Sequence, residues 1–199
     1  MKIGLFIPCY VDALYPDVGV ATYKLLTALG CDIEYPEKQT CCGQPMGNAG
    51  FQHMADNLVE FLHDVLKVTS IPGARFPHKV SLHNSCHGVR ELGLSSPTER
   101  SIPRFNKIKD LLKLVDGIEV VEPERPDECC GFGGMFSVEE PDVSGRMGRD
   151  KLARHIATGA EYITGPDSSC LMHMQGIAKK DGEKRINFIH VAQILASGL

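Results

Sequence analysis

The sequence contains no tryptophan, and it has no apolar run long enough to cross a membrane or to form the core of a signal peptide. The longest N-terminal apolar stretch, Ile3 to Pro8, is far too short for either role. There is no run of lysine and arginine, and the formal net charge is −4, so a nucleic-acid backbone is excluded as the main partner. No Cys-x-x-Cys occurs, which removes the usual signature of a thiol–disulfide exchanger. Gly131-Phe132-Gly133-Gly134 is not followed by Lys-Ser or Lys-Thr, so it is not a phosphate loop. No Ser-His-Asp set or carboxylate pair stands out by spacing. The expected setting is cytoplasmic, without direct membrane insertion.

What the sequence does have is cysteine. Eight cysteines in 199 residues, with no secretion signal, point to metal or redox chemistry rather than a disulfide framework. Seven of them fall into a repeating pattern. Cys9 follows the apolar run Lys2–Pro8, and Cys86 follows the run Lys79–His83. Cys41-Cys42-Gly43 lies 32 positions after Cys9, and Cys129-Cys130-Gly131 lies 43 positions after Cys86. Cys170 comes 40 positions after Cys130 and has no counterpart in the first copy. Only 44 positions separate Cys42 from Cys86, too few for a helix, a strand, a late cysteine and a connector. A segment on the order of 30–50 residues is therefore missing from the first repeat, between about Asp56 and Phe61. Either it has been deleted, or the sequence as read joins across it. Joining across is the favoured reading, because a deletion would remove a central strand of the first copy. The repeats are assigned to residues 1–67 and 68–199.

Periodicity places these motifs on an alternating pattern. Strands are expected at Lys2–Pro8, Asp32–Tyr35, Lys79–His83, Ile118–Val121 and Tyr162–Thr164. Helices are expected at Val18–Leu29, stopped by Gly30, at Asn48–Leu66, Phe105–Val115 and Ser144–Thr158, stopped by Gly159, and at Asn187–Ala196; a further helix opens at Cys170. Alternation of this kind predicts an α/β fold: two similar repeats, each a small, largely parallel sheet flanked by helices, with metal at the carboxyl ends of the strands.

Adjacent cysteines in a glycine-bearing loop suit a centre with several metal ions. Neighbouring side chains diverge, so a single tetrahedral zinc accepts both less readily than a cluster does. A disulfide within such a pair is strained. Zinc stabilisation of an interaction protein and thiol–disulfide chemistry remain the alternatives. Cys31, which has no repeat partner, reads as a small buried hydrophobe. His83 and His87 flank Cys86, and His173 follows Cys170 by three. His173 and His87 read more readily as hydrogen-bonding neighbours of a metal centre than as ligands. Tyr10 reads as packing. The interleaved charges of Glu139–Arg154 read as a solvated helix face.

Five stretches carry a resemblance. They are Phe6-Ile7-Pro8-Cys9, Thr40-Cys41-Cys42-Gly43-Gln44-Pro45, His83-Asn84-Ser85-Cys86-His87, Cys129-Cys130-Gly131-Phe132-Gly133-Gly134-Met135-Phe136-Ser137-Val138 and Cys170-Leu171-Met172-His173. They resemble the cysteine-rich domain found in heterodisulfide reductases and in the iron–sulfur component of glycolate oxidase. The two-repeat chain is most similar to the lactate-utilization protein A family. That resemblance implies an oxidoreductase subunit, rather than a complete enzyme, that works with two further subunits in oxidising L-lactate. It implies iron–sulfur clusters, expected as [4Fe-4S] and liable to loss from the isolated protein. Cys9, Cys41 and Cys42 would serve one cluster; Cys86, Cys129, Cys130 and Cys170 would serve the other. The chain departs from the family in lacking the first-repeat segment with a Pro-Ser-Gly-Ser-Cys-like ligand. Its second repeat has one late cysteine where heterodisulfide reductases have Cys-x-x-Cys. The functional expectation is an iron–sulfur electron-transfer subunit of a cytoplasmic complex that oxidises L-lactate or a related 2-hydroxy acid.

Overall fold

The computed structural model describes residues 1–36 and 57–199. Cys41, Cys42, their loop and the first part of the helix expected from Asn48 lie outside the described residues.

The first repeat opens with β1 (Lys2–Gly4), α1 (Cys9–Leu14), α2 (Pro16–Ala28) and β2 (Asp32–Glu34). β1 and β2 pair in parallel, Ile3 opposite Ile33. The expected strand to Pro8 is shorter than the apolar run, and Pro8 instead caps α1, where its carbonyl accepts from Val11 and Asp12. Further along, Asn57 caps a short helical turn, α3 (Leu58–Glu60), which widens into a π-helical turn at Phe61–Val65.

The second repeat lies wholly among the described residues. Its elements are β3 (Lys79–Leu82), α4 (Cys86–Arg90), α5 (Lys107–Leu112), β4 (Glu119–Val121), α6 (Phe136–Glu139), α7 (Pro141–Ala157), β5 (Tyr162–Gly165), α8 (Ser168–Lys180), β6 (Asn187–His190) and α9 (Val191–Leu195). The four strands form a parallel sheet in the order β4-β3-β5-β6. The two central strands are buried on both faces, with Val80, Ser81, Leu82, Ile163 and Thr164 all sealed from solvent. Such strands read as continuous rather than alternating runs.

One expectation is corrected here. Asn187–Ala196, read as a single helix, is a strand followed by a short helix. Asn187 to His190 pair with Tyr162 to Gly165, and His190 then caps α9 by accepting from Ala192 N–H. The run Asn187-Phe188-Ile189-His190 has no helical stripe of its own, and the free edge of β5 decides its state.

A shared core joins the two sheets. Leu25 and Leu26 of α2, Leu62, Val80, Leu82, Leu111, Leu112, Val191, Ile194 and Leu195 form one apolar cluster. Cys31 is buried in it, and Tyr10 packs against it, as expected of both. A second cluster, built on Leu152, Ile163, Leu171, Met174 and Ile177, lies under the carboxyl ends of β3 and β5 and includes Cys130 and Cys170. Each fully buried aliphatic side chain contributes roughly 1.5–3 kcal/mol. The donor cysteines thus stand on packed, rigid ground.

Candidate metal centre

Three strand ends converge on one place. β3 leads through His83, Asn84 and Ser85 to Cys86, the first residue of α4, whose N-cap is the Ser85 hydroxyl accepting from Gly88 N–H. β5 leads through Pro166 to Asp167, which caps α8 by accepting from Ser169 N–H at 2.9 Å and places Cys170 in the first turn. β4 leads into the loop that carries Cys129 and Cys130. In an open parallel sheet this crevice beyond the carboxyl ends is where ligands collect.

The Cys129-Cys130 loop is held by its neighbours on α7. Lys151 is sealed from solvent and donates to the carbonyls of Arg125 and Pro126 at 2.7 and 3.2 Å. Burial pushes its ammonium down to about 8, against the pull of Glu128 and Asp127. Arg154 pairs with Glu128 at 3.0 Å. Lys151 is therefore buried where a solvated face was expected; α7 turns it, and His155 beyond, toward the sheet and the loop, and Ser81 Oγ meets His155 Nδ1 at 2.8 Å. Gly131 has φ +87°, and a Cβ there would meet Met147 Cβ and Ser144 O, each at 2.7 Å. A Cβ on Gly148 would lie 2.9 Å from His173 Nε2 and 3.2 Å from the Cys130 carbonyl. The glycines thus let loop and helix meet backbone to backbone.

The expected second-repeat cysteines do come together. Cys129 Sγ lies 3.8 Å from Cys86 Sγ and accepts from Gly131 N–H at 3.3 Å. A further group joins Cys130, Cys170 and His83, whose donor atoms all lie within 4.8 Å of one another. The thiols of Cys130 and Cys86, then Gly131 N–H and the charge of Arg90, hold the Cys129 thiol well below the usual thiol range, favouring its thiolate. Cys86 and Cys130 are pushed up, first by hydrogen bonding to that thiolate and then by burial. Cys170 has a hydrogen bond to Cys130 that favours its thiolate, but burial and the charges of Asp167 and Cys129 raise it on balance. One thiolate shared among protonated thiols is a set ready to exchange protons for metal.

The described cysteines are all free thiols, and 3.8 Å is nearly twice a disulfide bond length of about 2.05 Å. Cys9 is exposed at the start of α1. Its expected companions Cys41 and Cys42 lie outside the described residues. His173 Nε2 lies 3.4 Å from the Ser144 carbonyl, and its ring packs on Phe132, the place of a hydrogen-bonding neighbour. The sequence left the role of His83 unassigned. This residue is completely buried and belongs to the donor group.

These residues fit a thiolate-bound metal group by donor chemistry: four cysteines and an imidazole, buried or half-buried, on three strand ends. Five donors exceed the four that one tetrahedral zinc takes.

Fold and site together define a two-sheet α/β protein with a cysteine centre at its strand ends, the class described as the cysteine-rich domain. The sequence profile of that class matches residues 3–69 and 80–175, once for each repeat. The chain belongs to this family and, within it, to the family of the lactate utilization A proteins. It is 34% identical to lactate utilization protein A of an Exiguobacterium species, with 100% of this chain and 98% of the relative covered. It is 32% identical to lactate utilization protein A 1 of Bacillus mycoides, covering 98% and 96%. It is 34% identical to lactate utilization protein A of Halalkalibacterium halodurans, covering 98% and 96%. The first of these alignments runs over 252 positions against 199 residues, so about fifty aligned positions have no residue in this chain.

Proposed function

We propose that the chain is an iron–sulfur electron-transfer subunit serving the oxidation of L-lactate or a related 2-hydroxy acid. The observation that carries this reading is the gathering of four cysteines and one buried imidazole at the ends of adjacent parallel strands. The names of the relatives supply lactate utilization. An iron–sulfur cluster held among Cys86, Cys129, Cys130 and Cys170 would supply a one-electron relay, at a potential set by ligation, hydrogen bonds to sulfur and burial. Gly131 N–H already points at Cys129 Sγ, where it stabilises negative charge on sulfur. Lys151 and Arg154 fix the loop that presents the pair. Cys9, Cys41 and Cys42 would hold a second group. Two further subunits in a cytoplasmic complex would supply the hydroxy-acid site. No helix among the described residues is long and apolar enough to cross a membrane.

One observation favours a second reading. The 3.8 Å between Cys86 and Cys129 matches the ligand–ligand edge of a zinc tetrahedron, about 3.8 Å for bonds of about 2.3 Å. Metal analysis decides between them. Full-length protein purified without oxygen should carry iron and acid-labile sulfide in near-equal amounts, several per chain, and Cys129→Ser should remove the share held by the second repeat. Stoichiometric zinc, or no metal after anaerobic reconstitution, would overturn the iron–sulfur reading.

A further inference from the structure

His83 has no exposed surface, and neither ring nitrogen has a hydrogen-bond partner. A buried imidazole of this kind carries a desolvation penalty that nothing in the protein repays. Among the described histidines it is also the one whose donor atom falls with two cysteine sulfurs, Cys130 and Cys170, inside 4.8 Å. The other candidates are engaged elsewhere. His155, 5.6 Å away ring to ring, is engaged through Nδ1 with Ser81; its Nε2 is also buried without a partner, but it is not part of the group with Cys130 and Cys170. His173 faces Ser144. His190 is committed at both nitrogens, to Pro166 O and Ala192 N–H.

The backbone holds His83 in this position. Its N–H donates to the Thr164 carbonyl at 2.7 Å, extending the β3–β5 pairing one residue beyond the strand. A Cβ on Gly165 would lie 2.8 Å from the His83 carbonyl, so the glycine lets the two strand ends close on each other. The ring and the Cys170 sulfur are therefore set by these two strand ends, while Cys130 comes from the loop after β4.

We infer that His83 is a ligand of the centre, donating an imidazole nitrogen beside the sulfurs of Cys130 and Cys170, so that the site is a mixed cysteine–histidine set. This rests on the iron–sulfur reading above and adds to it the identity of one bond. A neutral imidazole in place of a thiolate lowers the negative charge on a cluster and raises its potential.

The test is pulsed electron paramagnetic resonance on the reduced, anaerobically reconstituted full chain, grown with ordinary or 15N-labelled histidine. Iron and sulfide are assayed on the same samples. A nitrogen coupling of directly bonded strength that changes isotope with the histidine label, and that disappears in His83→Leu and His83→Cys, is the expected result. His83→Cys should keep its iron and shift the reduction potential downward. His83→Leu should lose iron yet raise the melting temperature of the metal-free chain, since it removes an unpartnered buried polar group. Iron and sulfide present in the unmodified chain without a bonded histidine nitrogen would overturn the inference while leaving the cluster reading intact. Absence of iron and sulfide from that chain would overturn the cluster reading itself, and the inference with it.

Discussion

At the scale of single residues, the centre depends as much on what is absent from side chains as on the thiols. Gly131 has a left-handed backbone and lies against Ser144 and Met147, with no room for a methyl group. Gly131→Ala should destabilise the metal-free chain by about 2 kcal/mol, read by urea unfolding, because strain and overlap add at one position. It should also cost metal occupancy, since the same turn directs an N–H to Cys129. The Cys-Cys-Gly motif made this glycine legible in sequence. His83 was visible only as a histidine near a cysteine: burial and missing partners are properties of packing, and no spacing rule expresses them. Lys151 escaped for a related reason. Interleaved charge on a helix normally means water, yet the carbonyls of Arg125 and Pro126 accept this ammonium in the interior.

At the scale of elements, α7 acts as the clamp on the cysteine loop. Lys151→Met should lower stability by about 1–3 kcal/mol, because two buried carbonyls lose their donor. Hydrogen exchange should quicken through residues 125–131 before it changes in β3 or β5; equal protection across that loop would show that Lys151 is not its anchor. The strands bearing the cysteines were legible because they are short, apolar and punctuated, and most helices fell within a few residues of expectation. β6 was not legible. Four residues preceding a helix carry too little periodicity, and their state comes from hydrogen bonds that β5 offers from elsewhere in the chain. α1 and α4 were missed as helices because each is a short turn begun by a cap, Pro8 or Ser85, rather than by a hydrophobic stripe.

For the whole molecule, buried histidines make stability depend on acid. Burial holds His155 down to about 3 and also lowers His190, against the help of Pro166 and Asp167. Both folded values lie below the ordinary value of about 6.5, so folding favours the neutral ring. Their contribution is complete above pH 6.5 and is lost as pH falls below it, while the unfolded chain takes up protons that the folded chain refuses. Each should cost about 1.4 kcal/mol per pH unit in that range until its folded value is reached. His190→Asn in the metal-free chain should reduce the slope of stability against pH below pH 6.5; an unchanged slope would show that His190 titrates alike in both states. The α/β class and the two-copy plan were legible at this scale, because repeated motifs report the architecture directly. The shared core of α2 with α9 was not, since it joins residues far apart in the chain.

The donors arrive from three strand ends separated by some forty residues at each step, and this sets an order of events. No local stretch of the second repeat holds more than the adjacent Cys129-Cys130 pair. A nascent or unfolded chain can therefore offer a metal at most a two-thiolate grip there until β3, β4 and β5 have found one another. Such long-range pairings are the slow contacts in folding. Assembly of the centre is thus gated by completion of the sheet, and the maturation machinery of a cell would meet a finished receptacle rather than a chain to be templated. Metal supplied too early would hold neighbouring thiols and delay the fold that the centre requires.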